Sequence, residues 1–283
     1  MILKDLKKYI EDKLISIYNH RESESLASLI IEDILLFDRT SFIINSDKII
    51  ESNKIDEINL IIERLQKEEP IQYILGKTEF YDLVFNVNKH TLIPRQETEL
   101  LVDKIIKQNS ISEEIKILDI GTGTACIAIS LSKNIKNAKV SALDISYETL
   151  NMAKENAILN KEKINFITDD ILNPINIFDD KFDIIVSNPP YVTENEKSLM
   201  QNNVLDYEPD LALFVPNKNP LKFYIAICNF ASNNLEAGGQ LWLEINEQFG
   251  YETVELLKKH NFTDLRIIKD LNEKDRIVTG VLK

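Results

Sequence analysis

From Ile115 onward, short apolar runs alternate with helical patterns, and few folds accommodate that alternation. Lys116–Ile120, Ala138–Asp144, Ile164–Thr168, Phe182–Ser187 and Gln240–Ile245 read as strands. Their apolar residues run almost continuously, as expected of strands covered on both faces. Helical stretches between them predict successive βαβ units and a parallel sheet, an α/β fold. Ser146–Asn160 begins on a residue suited to cap a helix N-terminus, and Pro220–Leu235 is expected to end ahead of Gly238-Gly239. Leu265–Lys269 and Arg276–Leu282 are close enough in sequence to be antiparallel neighbours.

The first part of the chain has a different pattern. Between Ile2 and Leu75 apolar residues recur every three or four positions, and no glycine precedes Gly76, which predicts a small helical domain. Glu79–Asn88 has the composition and alternation of a hairpin. The expected organisation is therefore a helical domain over 1–76, a hairpin and linker over 77–95, and an α/β domain over 96–283.

Composition narrows the function. At 283 residues and 44% hydrophobic, the chain can bury a sizeable core, yet no apolar run approaches the roughly 20 residues needed to span a bilayer. The start of the sequence alternates charged and apolar residues, unlike a signal peptide, so the cytoplasm is the expected location. A net charge of −13 with no concentrated basic patch disfavours direct nucleic-acid binding and suits a basic protein partner. Cys126 and Cys228 read as reduced core residues, and no histidine shares a metal-ligand spacing with a cysteine, so no metal is expected. A monomer is the expected state.

Two of only seven glycines, Gly121 and Gly123, stand between the first parallel strand and its helix. Glycine there allows a sharp turn and close approach of a ligand, which then meets the free amides of the helix start. Asp144 ends the second strand about twenty residues on, where a carboxylate can accept hydrogen bonds from a ribose. A nicotinamide dinucleotide would be served as well, but its fingerprint requires glycine where Cys126 stands. Asp119 would face a ligand bearing an amino group and a sulfonium, which favours S-adenosylmethionine. Asp170 and Ile171, after the third strand, could hold its adenine, the carboxylate accepting from the amino group and the isoleucine packing on the ring.

Asn188-Pro189-Pro190-Tyr191 follows the strand Phe182–Ser187, at the carboxyl end of the sheet where open α/β folds bind ligands. Amide nitrogens and exocyclic ring amines are poor nucleophiles because their lone pairs are delocalised. The Asn188 side-chain carbonyl and the Pro189 backbone carbonyl can accept both N–H bonds of such a group and favour a pyramidalising nitrogen. Consecutive prolines fix φ and so preorganise the backbone carbonyl, while Tyr191 can stack on the planar group. The chemistry indicated is methyl transfer to a planar nitrogen.

With these motifs assembled, the sequence resembles the peptide chain release factor N(5)-glutamine methyltransferases of the HemK/PrmC type over nearly its whole length. The resemblance is carried by Ile93-Pro94-Arg95-Gln96-Glu97-Thr98-Glu99, Leu118-Asp119-Ile120-Gly121-Thr122-Gly123-Thr124, Val186–Tyr191, Tyr207-Glu208-Pro209 with Ala212-Leu213, and Arg276-Ile277-Val278. It implies a class I S-adenosylmethionine-dependent, Rossmann-like catalytic domain. It further implies that the helical domain docks a release factor and that the substrate is the glutamine of that factor's Gly-Gly-Gln loop. Asp119, Gly121, Thr122, Gly123, Thr124, Ala125, Asp144, Asp170, Ile171 and Asn188 would then hold the cofactor, leaving S-adenosylhomocysteine as product. Two positions depart from the pattern: Gln96 replaces a proline and Ala125 a glycine. A methyl at Ala125 would narrow the methionine pocket if the backbone there requires positive φ. The alternatives are an adenine-N6 DNA methyltransferase, whose substrate nitrogen would fit the same grip, and an inactive S-adenosylmethionine-binding protein that docks on release factor.

Overall fold

The computed structural model describes residues 1–109, 114–178 and 180–283. Two compact units divide it, Met1–Gly76 with Gln201–Tyr207 and Lys77–Met200 with Glu208–Lys283.

The first unit is helical: α1 (Leu3–Leu14), α2 (His20–Leu35), α3 (Arg39–Ile44), α4 (Ser52–Leu65) and α5 (Ile71–Leu75). Apolar residues at helical spacing, among them Leu6, Ile10, Ile30, Ile58 and Ile62, form its core. Asn19 and Asp38 cap α2 and α3 by accepting backbone N–H groups from Glu22 and Ser41. Segment 201–207, including the later short helix Asn202–Leu205, belongs here, and its Tyr207 hydroxyl donates to the Lys67 carbonyl at 2.7 Å.

The second unit opens with the hairpin β1 (Lys77–Phe80) and β2 (Leu83–Asn86), followed by α6 (Gln96–Asn109), β3 (Ile115–Ile120), α7 (Cys126–Asn134), β4 (Ala138–Asp144), α8 (Tyr147–Asn160), β5 (Ile164–Thr168) and β6 (Phe182–Ser187). After β6 come a two-residue strand β7 (Val192–Thr193), the helix α9 (Asn202–Leu205) already placed in the first unit, α10 (Asp210–Leu213), β8 (Phe214–Val215), α11 (Lys222–Asn234), β9 (Leu235–Glu244), α12 (Gly250–Lys259), β10 (Phe262–Lys269) and β11 (Asp275–Leu282). Asn156 and Asn160 of α8 anchor the hairpin by donating to the Asn86 and Val84 carbonyls.

The seven-stranded sheet runs β10-β11-β9-β6-β3-β4-β5, and β11 alone is reversed, pairing antiparallel with both β9 and β10. Alternate residues feed two cores: Ile117, Val140, Ile184 and Trp242 pack with α6 and α7, while Leu118, Leu143, Ile185 and Leu241 pack with α11 and α12. From β3 the chain winds outward through β4 to β5, then returns to β3's other side for β6. Such a reversal opens a crevice at the carboxyl ends of β3 and β6.

One boundary differs from expectation. Helix α11 stops at Asn234 and β9 starts at Leu235, so Gly238-Gly239 lies inside the strand, opposite an irregularity between Phe182 and Ile184. Gly238 adopts φ +83° and Gly239 has no room for a Cβ, which would sit 2.9 Å from the Glu236 carbonyl oxygen. These glycines serve a bulge rather than a helix stop. Among the described residues, no helix is long and apolar enough to cross a membrane. Cys126 and Cys228 are buried and free.

Candidate active site

Register places the two loops of interest side by side. Ile120 pairs with Ser187, whose hydroxyl donates to the Ile120 carbonyl at 2.6 Å, so the glycine loop and Asn188-Pro189-Pro190 leave adjacent strands together. Asp144 pairs with Thr168, which brings Asp170 and Ile171 to the next strand end. A pocket of about 320 Å³ occupies the crevice. Gly121, Gly123, Asp144, Asp170, Ile171, Asn188, Pro189 and Pro190 line it, together with apolar groups such as Leu143, Ile145, Leu211 and Phe223.

Gly121 and Gly123 hold φ +72° and +57°, and the Gly121 and Thr122 amides donate to the Leu143 carbonyl at 2.8 and 3.0 Å. Asp144 staples this turn: its Oδ2 accepts the Gly123 N–H and its Oδ1 the Ser146 N–H, each at 3.0 Å. Burial raises the Asp144 pKa, with those amides acting in the opposite direction. Ser146 also caps α8 by accepting the Thr149 N–H. Asp170 accepts the Leu172 N–H and an Asn173 side-chain N–H at the rim.

Five of the residues singled out from sequence, Asp119, Thr122, Thr124, Ala125 and Tyr191, lie off the pocket wall. Asp119 is fully buried, and its Oδ2 accepts the Thr122 hydroxyl at 2.6 Å. Its Oδ1 is buried without a hydrogen-bond partner among the described residues, and burial pushes its pKa up to about 7. The Thr124 carbonyl accepts an Asn156 N–H at 3.0 Å. Ala125 does occupy the left-handed region, at φ +62°, and its methyl faces the core rather than the pocket. Alanine is strained in that conformation, by roughly 1–2 kcal/mol.

Sequence reasoning missed the residues that hold the tetrapeptide. The Asn188 Nδ2 donates to the Thr98 Oγ1 at 3.1 Å, and the Thr98 hydroxyl donates to the Glu244 Oε2 at 2.7 Å. The Tyr191 hydroxyl donates to the Glu244 Oε1 at 3.1 Å, and its backbone carbonyl accepts the Asn246 Nδ2. Glu244 is 1% exposed at the end of β9, and burial raises its pKa against the pull of Thr98, Tyr191 and Arg276. In the sequence Thr98 stands only as part of the Ile93–Glu99 motif, with no role, and Glu244 only as a carboxylate closing the apolar run Leu241-Trp242-Leu243. Glu208, also buried, accepts from the Ile93 N–H at 3.2 Å and the Arg95 guanidinium at 2.5 Å, joining two motifs that sequence had flagged separately. No group of three or more His, Cys, Asp or Glu among the described residues is arranged to hold a metal ion.

Residues 5–76 match the PrmC N-terminal domain family and residues 95–206 the methyltransferase small domain family. The release factor glutamine methyltransferase of Flavobacterium psychrophilum is 44% identical over 281 residues, 98% of each chain. That of Bacteroides thetaiotaomicron is 45% identical over 272 residues, covering 96% of this chain and 97% of its own. The chain belongs to the release factor glutamine methyltransferase family. Membership of this family agrees with the fold seen in solved structures. A methyltransferase from Pyrococcus furiosus aligns over 82% of this chain and 98% of its own, with a TM-score of 0.52 at 18% identity. The T. thermophilus 16S rRNA N2 G1207 methyltransferase aligns over 73% of this chain and 50% of its own, with a TM-score of 0.52 at 16% identity. At such identities the likeness is one of fold.

Proposed function

We propose that this chain transfers a methyl group from S-adenosylmethionine to the side-chain amide nitrogen of the glutamine in the Gly-Gly-Gln loop of peptide chain release factors. The observation that carries the proposal is the state of Asn188. It lines the pocket with its Nδ2 committed to Thr98, while its Oδ1 makes no hydrogen bond among the described residues. An acceptor so placed suits an N–H donor, as an amide substrate requires. Relatives of the same name match nearly the full chain, which favours release factor over DNA as substrate.

The residues present fit the cofactor. Asp144 would accept from the ribose, Asp170 and Ile171 would hold the adenine, and Gly121–Thr124 would follow the methionine part. The Asp119 carboxyl, under that loop and with its pKa raised by burial, would be drawn toward its ionised form by a nearby ammonium group. Ala125 would act through the loop's backbone, from behind it. Bound there, S-adenosylmethionine would supply an electrophilic methyl group.

The chain's own part is positioning. Asn188 and the Pro189 carbonyl accept the two N–H bonds of the glutamine amide, directing its lone pair outward, and Pro190 helps keep that carbonyl in place. Tyr191 acts from behind the pocket, its hydroxyl held by Glu244. The proton on nitrogen leaves after methylation, so no strong base is needed. The helical unit, 1–76 with 201–207, would dock the release factor, and 77–200 with 208–283 would be the catalytic unit. The acidic surface suits a basic partner, with no direct role for nucleic acid. We place the enzyme in the cytoplasm as a monomer.

Single-turnover methylation of release factor by Asn188→Ala tests the proposal. Losing one preorganised acceptor costs about 2.7–4 kcal/mol, hence a fall of roughly a hundredfold or more in rate, with cofactor Kd within about threefold of the parent. Near-parental turnover would reduce the tetrapeptide to a turn.

A further inference from the structure

With Glu244 ionised, four side chains at and behind the pocket wall form a chain of hydrogen bonds with only one self-consistent direction. Glu244, when ionised, only accepts, and its two oxygens take one donor each: the Tyr191 hydroxyl at 3.1 Å and the Thr98 hydroxyl at 2.7 Å. Thr98 has one proton, and it is spent on Glu244. Its oxygen can therefore only accept from Asn188, which must present Nδ2 to it and Oδ1 to the other side. Left alone, an asparagine amide rotates broadly about its last torsion and can present either end.

We propose that Thr98 and Glu244 are positioning residues that fix the Asn188 amide with its oxygen toward the substrate and lock Tyr191 into the same frame. The inference rests on the function proposed above. One carboxylate reaches both ends of the tetrapeptide because β9 runs beside β6, with Leu243 opposite Ser187. Glu244 thus stands next to Asn188 in register. Thr98 comes from the first turn of α6, far away in sequence, and is 2% exposed. Arg276, on the neighbouring strand and held by Asp270 at 3.1 Å, supplies a positive charge that favours the ionised carboxylate. Burying an unpaired carboxylate is costly, and this one is met by donors on both oxygens.

The test compares Thr98→Val, Thr98→Ser, Asn188→Ala and the Asn188→Ala/Thr98→Val double variant in methyl transfer to release factor, with cofactor Kd measured for each. Thr98→Val keeps the shape and deletes the hydroxyl. We expect kcat to fall about tenfold to a hundredfold, as for a misplaced reacting geometry, with cofactor Kd within about threefold. Thr98→Ser, which retains the hydroxyl, should stay within about threefold of the parent, a rescue that a purely packing role would not produce. On the Asn188→Ala background Thr98→Val should cost less than about threefold more, because the group it orients is already gone. Should Thr98→Val fail to fold, Glu244→Gln carries the same test: its NH₂ must turn one of the two arms around, and kcat should fall at least about tenfold. Parental kcat in Thr98→Val or its substitute, a serine that does not rescue, or equal losses with and without Asn188 would overturn the relay. Should Asn188→Ala be crippled while Thr98→Val is not, the relay alone fails. A parent that transfers no methyl group to release factor would overturn the relay and the proposed function together.

Discussion

Asp144→Ala should weaken S-adenosylmethionine binding in a chain that still folds. Each Asp144 oxygen already accepts one backbone amide, Gly123 N–H or Ser146 N–H at 3.0 Å, but each carries a second lone pair. A ribose hydroxyl can therefore be added without breaking the staple. A hydrogen bond to a charged acceptor is worth about 1.5–3 kcal/mol, so its loss should raise the cofactor Kd roughly tenfold to 150-fold. The freed amides also loosen the glycine loop, a further cost of about 1–3 kcal/mol in stability. Asp144→Asn separates the two effects poorly but informatively. It keeps one acceptor oxygen, yet its NH₂ must oppose either the Gly123 or the Ser146 amide, donor against donor. It should bind no better than a few-fold above alanine. Calorimetric titration with S-adenosylmethionine, beside a thermal melt of each variant, measures both quantities. Unchanged affinity in folded Asp144→Ala would leave Asp144 as a staple of the loop and remove it from the cofactor site.

Two further predictions concern the layer beneath that loop. The Asp119 pKa is raised from 3.8 to about 7, so the folded chain binds a proton there more tightly than the unfolded one. Stability from this group is therefore highest below pH about 4 and declines as pH rises toward about 7. The gap corresponds to about 4 kcal/mol as an upper figure. Asp119→Asn should gain on the parent across that window in denaturant midpoints and hold a constant difference above it; a constant difference throughout would refute the assignment. Ala125→Gly relieves the left-handed strain of roughly 1–2 kcal/mol but loses a buried methyl worth about 0.8 and adds unfolded-state entropy of about 0.4–1 kcal/mol. Stability should stay within about 1 kcal/mol of the parent and cofactor Kd within about threefold, and a tenfold tighter Kd would show that the methyl does intrude on the pocket.

What could be read from the sequence was whatever local chemistry determines. Strands β3 and β6 were visible because double-sided burial leaves continuous apolar runs, β4 and the edge strand β5 because apolar residues still recur along them, and the Ser146 cap because its partner Thr149 is three residues away. The glycine loop and the tetrapeptide were legible as strand ends. Gly238-Gly239 misled because glycine marks helix stops and bulges alike, and only the pairing with Phe182 and Ile184 distinguishes them. Thr98 and Glu244 lie 146 residues apart, and no periodicity predicts that they meet. Tyr191 was expected to stack on the substrate, whereas its ring packs beside the core of Leu243 and Ile245 and its hydroxyl points to Glu244. The direction a side chain takes after two prolines is a tertiary matter. Nor does any shift in composition announce that 201–207 joins the helical unit.

Methyl transfer to the glutamine of release factor can be followed with a radiolabel. Purified chain, S-adenosylmethionine carrying a radiolabelled methyl group, and release factor are combined, with a factor whose Gly-Gly-Gln is changed to Gly-Gly-Ala in parallel. Label should enter the parental factor and be absent from the alanine variant. Equal labelling of both, or label appearing only in DNA offered in their place, would show that the Gly-Gly-Gln glutamine is not the methyl acceptor.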